Sequence, residues 1–343
     1  MALIGTAVPE TPKRACWQVT WDGWRGGVTP FREKRRLPER NSDGLAPVLA
    51  AAVCASEAFI FCTGNHPFAG RRSAGLSLWE PAADWLDDAG IEPPIQILPS
   101  RLWLIGLGNL GQAYAWTLAS LAYPCGAAPE LVLQDFDHLA ESNDSTSVLS
   151  SMELVGEMKT RAISHWLERQ GFRTFIEERR FGGWTNRAPH EPGAALCGVD
   201  NMLARSALEE AGFGLVVETG LGAGPHGFLN FSLHTFPSSL SAAVLWAEDG
   251  AVAKVNVMDM PAYKAEDNEH LDECGLAQMA SRTIGVPFVG LTAAVLAISE
   301  LLRRLHGGTA LELLSGSMLV LSDCEHSTMI ARTYEFGFVQ ADR

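Results

Sequence analysis

Residues 101–122, RLWLIGLGNLGQAYAWTLASLA, limit the fold more than any other stretch. A short apolar run fit for a buried strand enters a turn containing Gly106, Gly108 and Gly111, and a helical pattern follows. In that context the first glycine permits the tight turn and the second lets the backbone approach a phosphate or ribose. The third lets helix and strand pack closely. The helix N-terminus then favours negative charge. The turn does not say which nucleotide binds, but the absence of G-K-[ST] excludes a P-loop NTPase. At the end of the next strand, LVLQDFD, stand Asp135 and Asp137. An acid there can accept from a ribose hydroxyl in either NAD or ATP.

The pattern around this turn is α/β: a mostly parallel sheet with helices on both faces and a C-terminal antiparallel extension. Strands are expected at 131–137, 173–178, 194–199 and 215–219, with helices over 152–170 and 202–211 between them. More antiparallel strands follow at 228–235, 251–257, 317–322 and 329–336, with a long apolar helix over 287–305. Residues 1–98 form a small N-terminal accessory domain, with a strand at 16–21, a charged run at 31–40, a buried helix over 46–61 and another helix over 76–89. The prolines of IEPPIQILPS (91–100) make an extended linker, so residues 99–343 form the second domain.

With 26 Lys+Arg against 40 Asp+Glu, a formal charge of −14 disfavours nucleic acid and anionic lipid as partners. Seven cysteines without C-x-x-C support neither a disulfide framework nor a zinc site, and suggest a reducing cytoplasm. No signal peptide is expected at the start. The apolar stretches 46–62 and 283–299 carry Glu57 and Pro287 respectively and read as buried helices, so no membrane span is expected.

DFDHLAESNDSTSVLSSMELVGEMK (135–159) resembles the superfamily of ThiF, MoeB and the ubiquitin-activating enzymes. Asp135, Ser142, Asn143 and Lys159 fall in that family's register without a gap. CGVDNMLARSALEEAG (197–212) looks like its Asp-Asn…Arg segment, with Asp200 after a buried strand. The stretch 271–308 looks like its crossover loop (near 259–275), reactive cysteine and following helix. The resemblance implies ATP-dependent adenylation of the C-terminal carboxylate of a ubiquitin-like protein or peptide. It assigns Asp135 to ribose, Asn143 and Lys159 to phosphates, Asp200 to Mg²⁺, and Cys274 to acyl transfer as a thioester. It further implies a homodimer and, as an added partner, a conjugating enzyme.

Two departures stand out. Thr146 occupies the place of the family's phosphate-binding arginine, and the paired zinc cysteines of many members are absent, so no zinc is expected. An arginine supplied by a second subunit would come from Arg32, Arg35, Arg36 or Arg40. Two alternatives stay open: a degenerate member that binds without adenylating, and an NAD(P)-dependent oxidoreductase. The long helix at 287–305 and the helix at 46–61 offer more apolar surface than one sheet face needs, which also points to a dimer.

Overall fold

A computed structural model describes residues 1–5, 15–33, 35–40, 43–87, 92–247, 285–331 and 337–342. The N-terminal part holds β1 (Ala2–Ile4), β2 (Trp17–Asp22), β3 (Arg25–Pro30), α1 (Leu45–Thr63) and β4 (Ala74–Ser77). They form a four-stranded sheet in the order β1-β2-β3-β4 with α1 laid across it. Gly26 makes this contact possible, because a Cβ there would lie 2.3 Å from the Ala46 carbonyl oxygen. By length and composition α1 could cross a membrane, yet 61% of its most apolar window is buried within the protein. Glu57, in its middle, is buried against Arg72 at 2.5 Å and accepts from the Gly70 N–H at 3.2 Å.

The second part continues through β5 (Ile97–Pro99), β6 (Arg101–Ile105), α2 (Asn109–Ala119), β7 (Glu130–Gln134), α3 (Glu141–Thr146), α4 (Lys159–Arg169), β8 (Arg173–Glu177) and β9 (Ala194–Cys197). Then come α5 (Met202–Ser206), β10 (Leu215–Leu221), α6 (Gly224–Gly227), β11 (Asn230–Phe236), α7 (Ala242–Leu245), α8 (Pro287–Leu305), β12 (Ala310–Ser317), β13 (Val320–Met329) and β14 (Phe338–Gln340). The main sheet has eight strands in the order β13-β12-β11-β10-β9-β6-β7-β8. From β10 to β8 every pairing is parallel, and β11, β12 and β13 add an antiparallel edge. β14 pairs separately with β5.

Alternating strand residues feed two cores. Leu102, Leu104, Leu131, Leu196 and Val217 face α2 and α8 in one; Trp103, Ile105, Val132, Cys197 and Val216 meet Ala204 and Leu208 in the other. The first core also takes in Leu45, Leu49 and Val53 of α1, so the N-terminal sheet and the large sheet share one apolar interior. Between α1 and the sheet, α8 is buried nearly all round. Most of the apolar surface on which the expected dimer rested is therefore covered within one chain, with Phe61 of α1 left exposed. The parallel strands wind outward from β6 in both directions, which opens a crevice at their carboxyl ends between β6 and β9.

Several expected elements differ. Among the described residues no helix forms over 76–87, and residues 88 and 89 lie outside them. Ser77 Oγ accepts from the Glu80 N–H at 3.1 Å and Asp84 Oδ1 from the Leu86 N–H at 3.0 Å, and such local bonds hold turns in place of a helix. The helix expected over 152–170 begins only at Lys159, because Gly156 adopts a left-handed φ of 93°. The helix expected over 202–211 stops at Ser206. The run 317–322 spans a hairpin turn between β12 and β13. The strand expected at 251–257 lies outside the described residues, as do residues 332–336 of the last one.

Candidate nucleotide site

The glycine turn sits at the crevice. Gly106 has φ 81°, and a Cβ there would lie 2.8 Å from Val199 Cγ1. A Cβ on Gly111 would lie 1.9 Å from the Gly106 carbonyl oxygen, so α2 packs onto the turn itself. Gly108 faces open space, with nothing within 4 Å of where its Cβ would be. It precedes α2 without a side-chain cap, leaving the first-turn N–H groups directed at the crevice.

Asp135 is buried, and both its oxygens hold backbone. Oδ2 accepts from the Leu107 N–H at 2.6 Å and Oδ1 from the Asp137 N–H at 2.8 Å. It thus fixes the glycine turn to the end of β7. Asp137 is exposed, and its Oδ2 accepts from Lys159 Nζ at 3.0 Å. Its carbonyl also accepts from the Lys159 N–H at 3.0 Å. Asn143 Oδ1 accepts from the Ala140 N–H at 2.9 Å, which closes the first turn of α3. Thr146 Oγ1 donates to the Ser142 carbonyl at 2.8 Å. Its hydroxyl closes a helical turn where the resembling family has a cation.

Asp200 is exposed in the loop after β9 and makes no hydrogen bond among the described residues. Gly106 and Val199 bring that loop against the glycine turn. The structure therefore gathers the glycine turn, Asp135, the Asp137–Lys159 pair and Asp200 at one end of the parallel strands. Cys274 and the loop at 259–275 lie outside the described residues.

Three groups were not singled out from sequence. Gln112, fully buried, donates to the Leu107 carbonyl at 3.3 Å and accepts from the Leu149 N–H at 3.1 Å and Ser150 Oγ at 2.9 Å. It ties the turn to the segment after α3. Its signal was an amide flanked by the apolar residues of α2. Asn109 Nδ2 is buried without a partner at the first turn of α2. Glu218, in the apolar strand LVVETGL, is the third.

These features fit a nucleotide triphosphate. An open glycine, free N–H groups, an unpartnered amide donor and Lys159 suit phosphate oxygens. Among the described residues no three His, Cys, Asp or Glu side chains gather as a metal cage. Asp200 alone suits Mg²⁺ carried in by a phosphate chain, since Mg²⁺ keeps most of its shell as water and phosphate. Of the four basic candidates near the N-terminus, Arg36 pairs with Glu39 and Arg35 with Asp87. Arg40 pairs with Asp22 at 2.7 Å. Arg32 is exposed, with no ion pair among the described residues.

A model of the BilD N-terminal domain matches residues 1–78, and one of the BilD C-terminal domain matches residues 98–308. The "Bacterial E1-like protein BilD" of Collimonas sp. (strain OK412) is 57% identical over 340 residues, which is 99% of this chain and 74% of that protein. Among solved structures, E. coli MccB with ATP is similar at 15% identity and a TM-score of 0.43, covering 67% of this chain and 63% of MccB. The structure named PaaA is similar at 16% identity and a TM-score of 0.41, covering 67% of this chain and 63% of PaaA. The matched region thus spans less than two thirds of those solved chains. The kinship shown is with E1-like proteins, rather than with ThiF or MoeB in particular. By its identity to that relative and by both domain models, this chain belongs to the BilD family of bacterial E1-like proteins.

Proposed function

We propose that this protein activates the C-terminal carboxylate of a ubiquitin-like protein or peptide by adenylation, using ATP and Mg²⁺. One observation carries the reading: the glycine turn, Lys159 and Asp200 converge at the carboxyl end of the parallel strands, at the point where the strand order reverses. Membership of an E1-like family favours adenylation over hydride transfer to NAD(P).

In this reading the first turn of α2 receives the phosphates and Asp135 holds the turn while remaining lone pairs meet the ribose. Asn143 supplies its Nδ2 to phosphate. Lys159 exchanges Asp137 for a phosphate oxygen as charge redistributes in the transition state. Mg²⁺ held by Asp200 would neutralise that same charge. The substrate carboxylate attacks the α-phosphorus, the bond to the β-phosphate oxygen breaks, and pyrophosphate leaves. The acyl carbon then becomes open to a thiolate, with AMP as leaving group. We assign that thiol to Cys274, from which a conjugating enzyme would take the acyl group. A dimer would let Arg32 of a second copy serve the position that Thr146 leaves without a cation.

Calorimetric titration tests the nucleotide half: tighter binding of ATP·Mg²⁺ than of NAD is expected, and NAD binding without ATP binding would sink the reading. For the thiol, Cys274→Ala is expected to keep pyrophosphate exchange with the true partner and to lose the reductant-labile thioester. A thioester that survives in this variant removes Cys274 from the mechanism.

A further inference from the structure

Glu218 is wholly buried in β10, on the sheet face covered by α5 and α7. A carboxylate there is expensive to desolvate, so its partners are informative. Oε2 lies 2.9 Å from Nδ1 of His234, its cross-strand neighbour on β11. Oε1 lies 3.1 Å from Arg205 Nε. The Arg205 Nε–H, however, is aimed at the Val199 carbonyl at 2.8 Å, so Oε1 attracts the guanidinium without an aligned hydrogen bond. The guanidinium also sits 4.8 Å over the Trp246 ring. Gly220 leaves room for it, since a Cβ there would lie 3.2 Å from Arg205 Nη2.

The peptide that Arg205 grips is the one before Asp200. On the other side, Asn201 Oδ1 caps α5 by accepting from the Ala204 N–H at 3.1 Å, and the Asn201 carbonyl accepts from the Arg205 N–H at 3.0 Å. Asp200 is thus an exposed carboxylate without a hydrogen bond of its own among the described residues, held between two anchored neighbours. The Val199 anchor is the Arg205 guanidinium, and the Asn201 carbonyl is held by the Arg205 backbone N–H.

We propose that Glu218, steadied by His234, is a positioning residue: it orients Arg205, and Arg205 sets the backbone that presents Asp200. This rests on the adenylation reading only for what Asp200 holds. Glu218 touches neither nucleotide nor metal. Its negative charge keeps the guanidinium inside, over Trp246 and against Val199. Without that charge a buried cation would be left unpaired and drawn to solvent, releasing the Val199 carbonyl.

The test is a pair of measurements on the full chain. Hydrogen exchange on the free protein reads the loop without nucleotide. Glu218→Gln, which keeps the shape and removes the charge, is expected to speed exchange at the hydrogen-bonded Ala204 and Arg205 amides about 10-fold by easing local opening. ATP titration with and without Mg²⁺ reads the consequence. Glu218→Gln is expected to lose about 10-fold or more of the Mg²⁺ enhancement, as outer partners of a metal ligand do, while binding of ATP alone stays unchanged. Asp200→Ala gives the limit of complete loss. A residue that merely supports the fold would lower the melting temperature and leave both readouts intact, and that result overturns the proposal. If the parent shows no Mg²⁺ enhancement, the adenylation reading fails by itself, and exchange at Ala204 and Arg205 alone decides the positioning role. Should Glu218→Gln not fold, Arg205→Lys keeps the charge and loses the grip on Val199. Unchanged exchange in that variant overturns the proposal equally.

Discussion

Two acid–base clusters in this molecule make opposite use of the same chemistry. Glu300 on α8 is fully buried and every oxygen is occupied: Oε2 by Arg303, and Oε1 by Arg304 at 2.5 Å and the Leu311 N–H at 3.1 Å. Arg303 in turn donates to the Leu78 carbonyl at 2.6 Å, reaching just past β4. The Asp137–Lys159 pair, by contrast, has a half-exposed carboxylate and one ammonium that can turn elsewhere. The first cluster joins layers and has no carboxylate oxygen left to offer a ligand. In the proposed reading the second is a resting arrangement that an arriving phosphate would displace. Burial and saturation, more than the presence of charge, separate a structural pair from a functional one.

The largest expected break of this contrast is Glu300→Ala. Arg303, whose pKa burial already pushes down, would be left uncompensated. The loss is expected at about 3–5 kcal/mol of unfolding free energy, read by urea titration. Nucleotide affinity of the molecules still folded should not change. Gly111→Ala comes next. Its methyl would meet the Gly106 carbonyl, so about 1–3 kcal/mol of stability and ATP binding are expected to fall together, by urea titration and calorimetry. That joint loss would show the turn belongs to both fold and site.

Lys159→Ala sharpens the other side. Its expected effect on stability is within about 0.5 kcal/mol, while ATP affinity should fall about 10-fold or more for a charge-assisted contact. A large drop in melting temperature instead would move Lys159 into the structural class. The smallest effect concerns thiols. Burial pushes Cys197 up to about 12 and Cys324 up to about 11. Thiolate is the reacting form, so at pH 8 iodoacetamide is expected to label exposed Cys62 and Cys125 and spare those two, by peptide mass spectrometry. Raising the pH toward 11 should bring Cys324 in before Cys197.

The glycine turn was legible in sequence because its determinants are contiguous: strand, turn and helix lie within about twenty residues, and each glycine answers a local need. Asp135 was legible as an acid ending a strand, but its grip on the Leu107 N–H was not, since that depends on the β6–β7 register. The Glu218–His234–Arg205 cluster was hidden for the same reason. Its members sit on a helix and two strands, and only the antiparallel register of β10 and β11 sets the acid beside the imidazole. The expected helix over 76–89 failed because Ser77 and Asp84 bind nearby backbone, a competition that hydrophobic spacing does not report.

The seam between α1 and α8 has a consequence for synthesis. More than two hundred residues separate the two helices in the chain. At about 5–20 residues per second, the ribosome leaves α1 without its partner for roughly 10–50 seconds. During that interval a helix apolar enough to suit a lipid bilayer stands with one side open. The nascent chain should therefore need a holding chaperone until α8 emerges, and a translation pause upstream of α8 should lower the yield of soluble protein more than an equal pause placed after it.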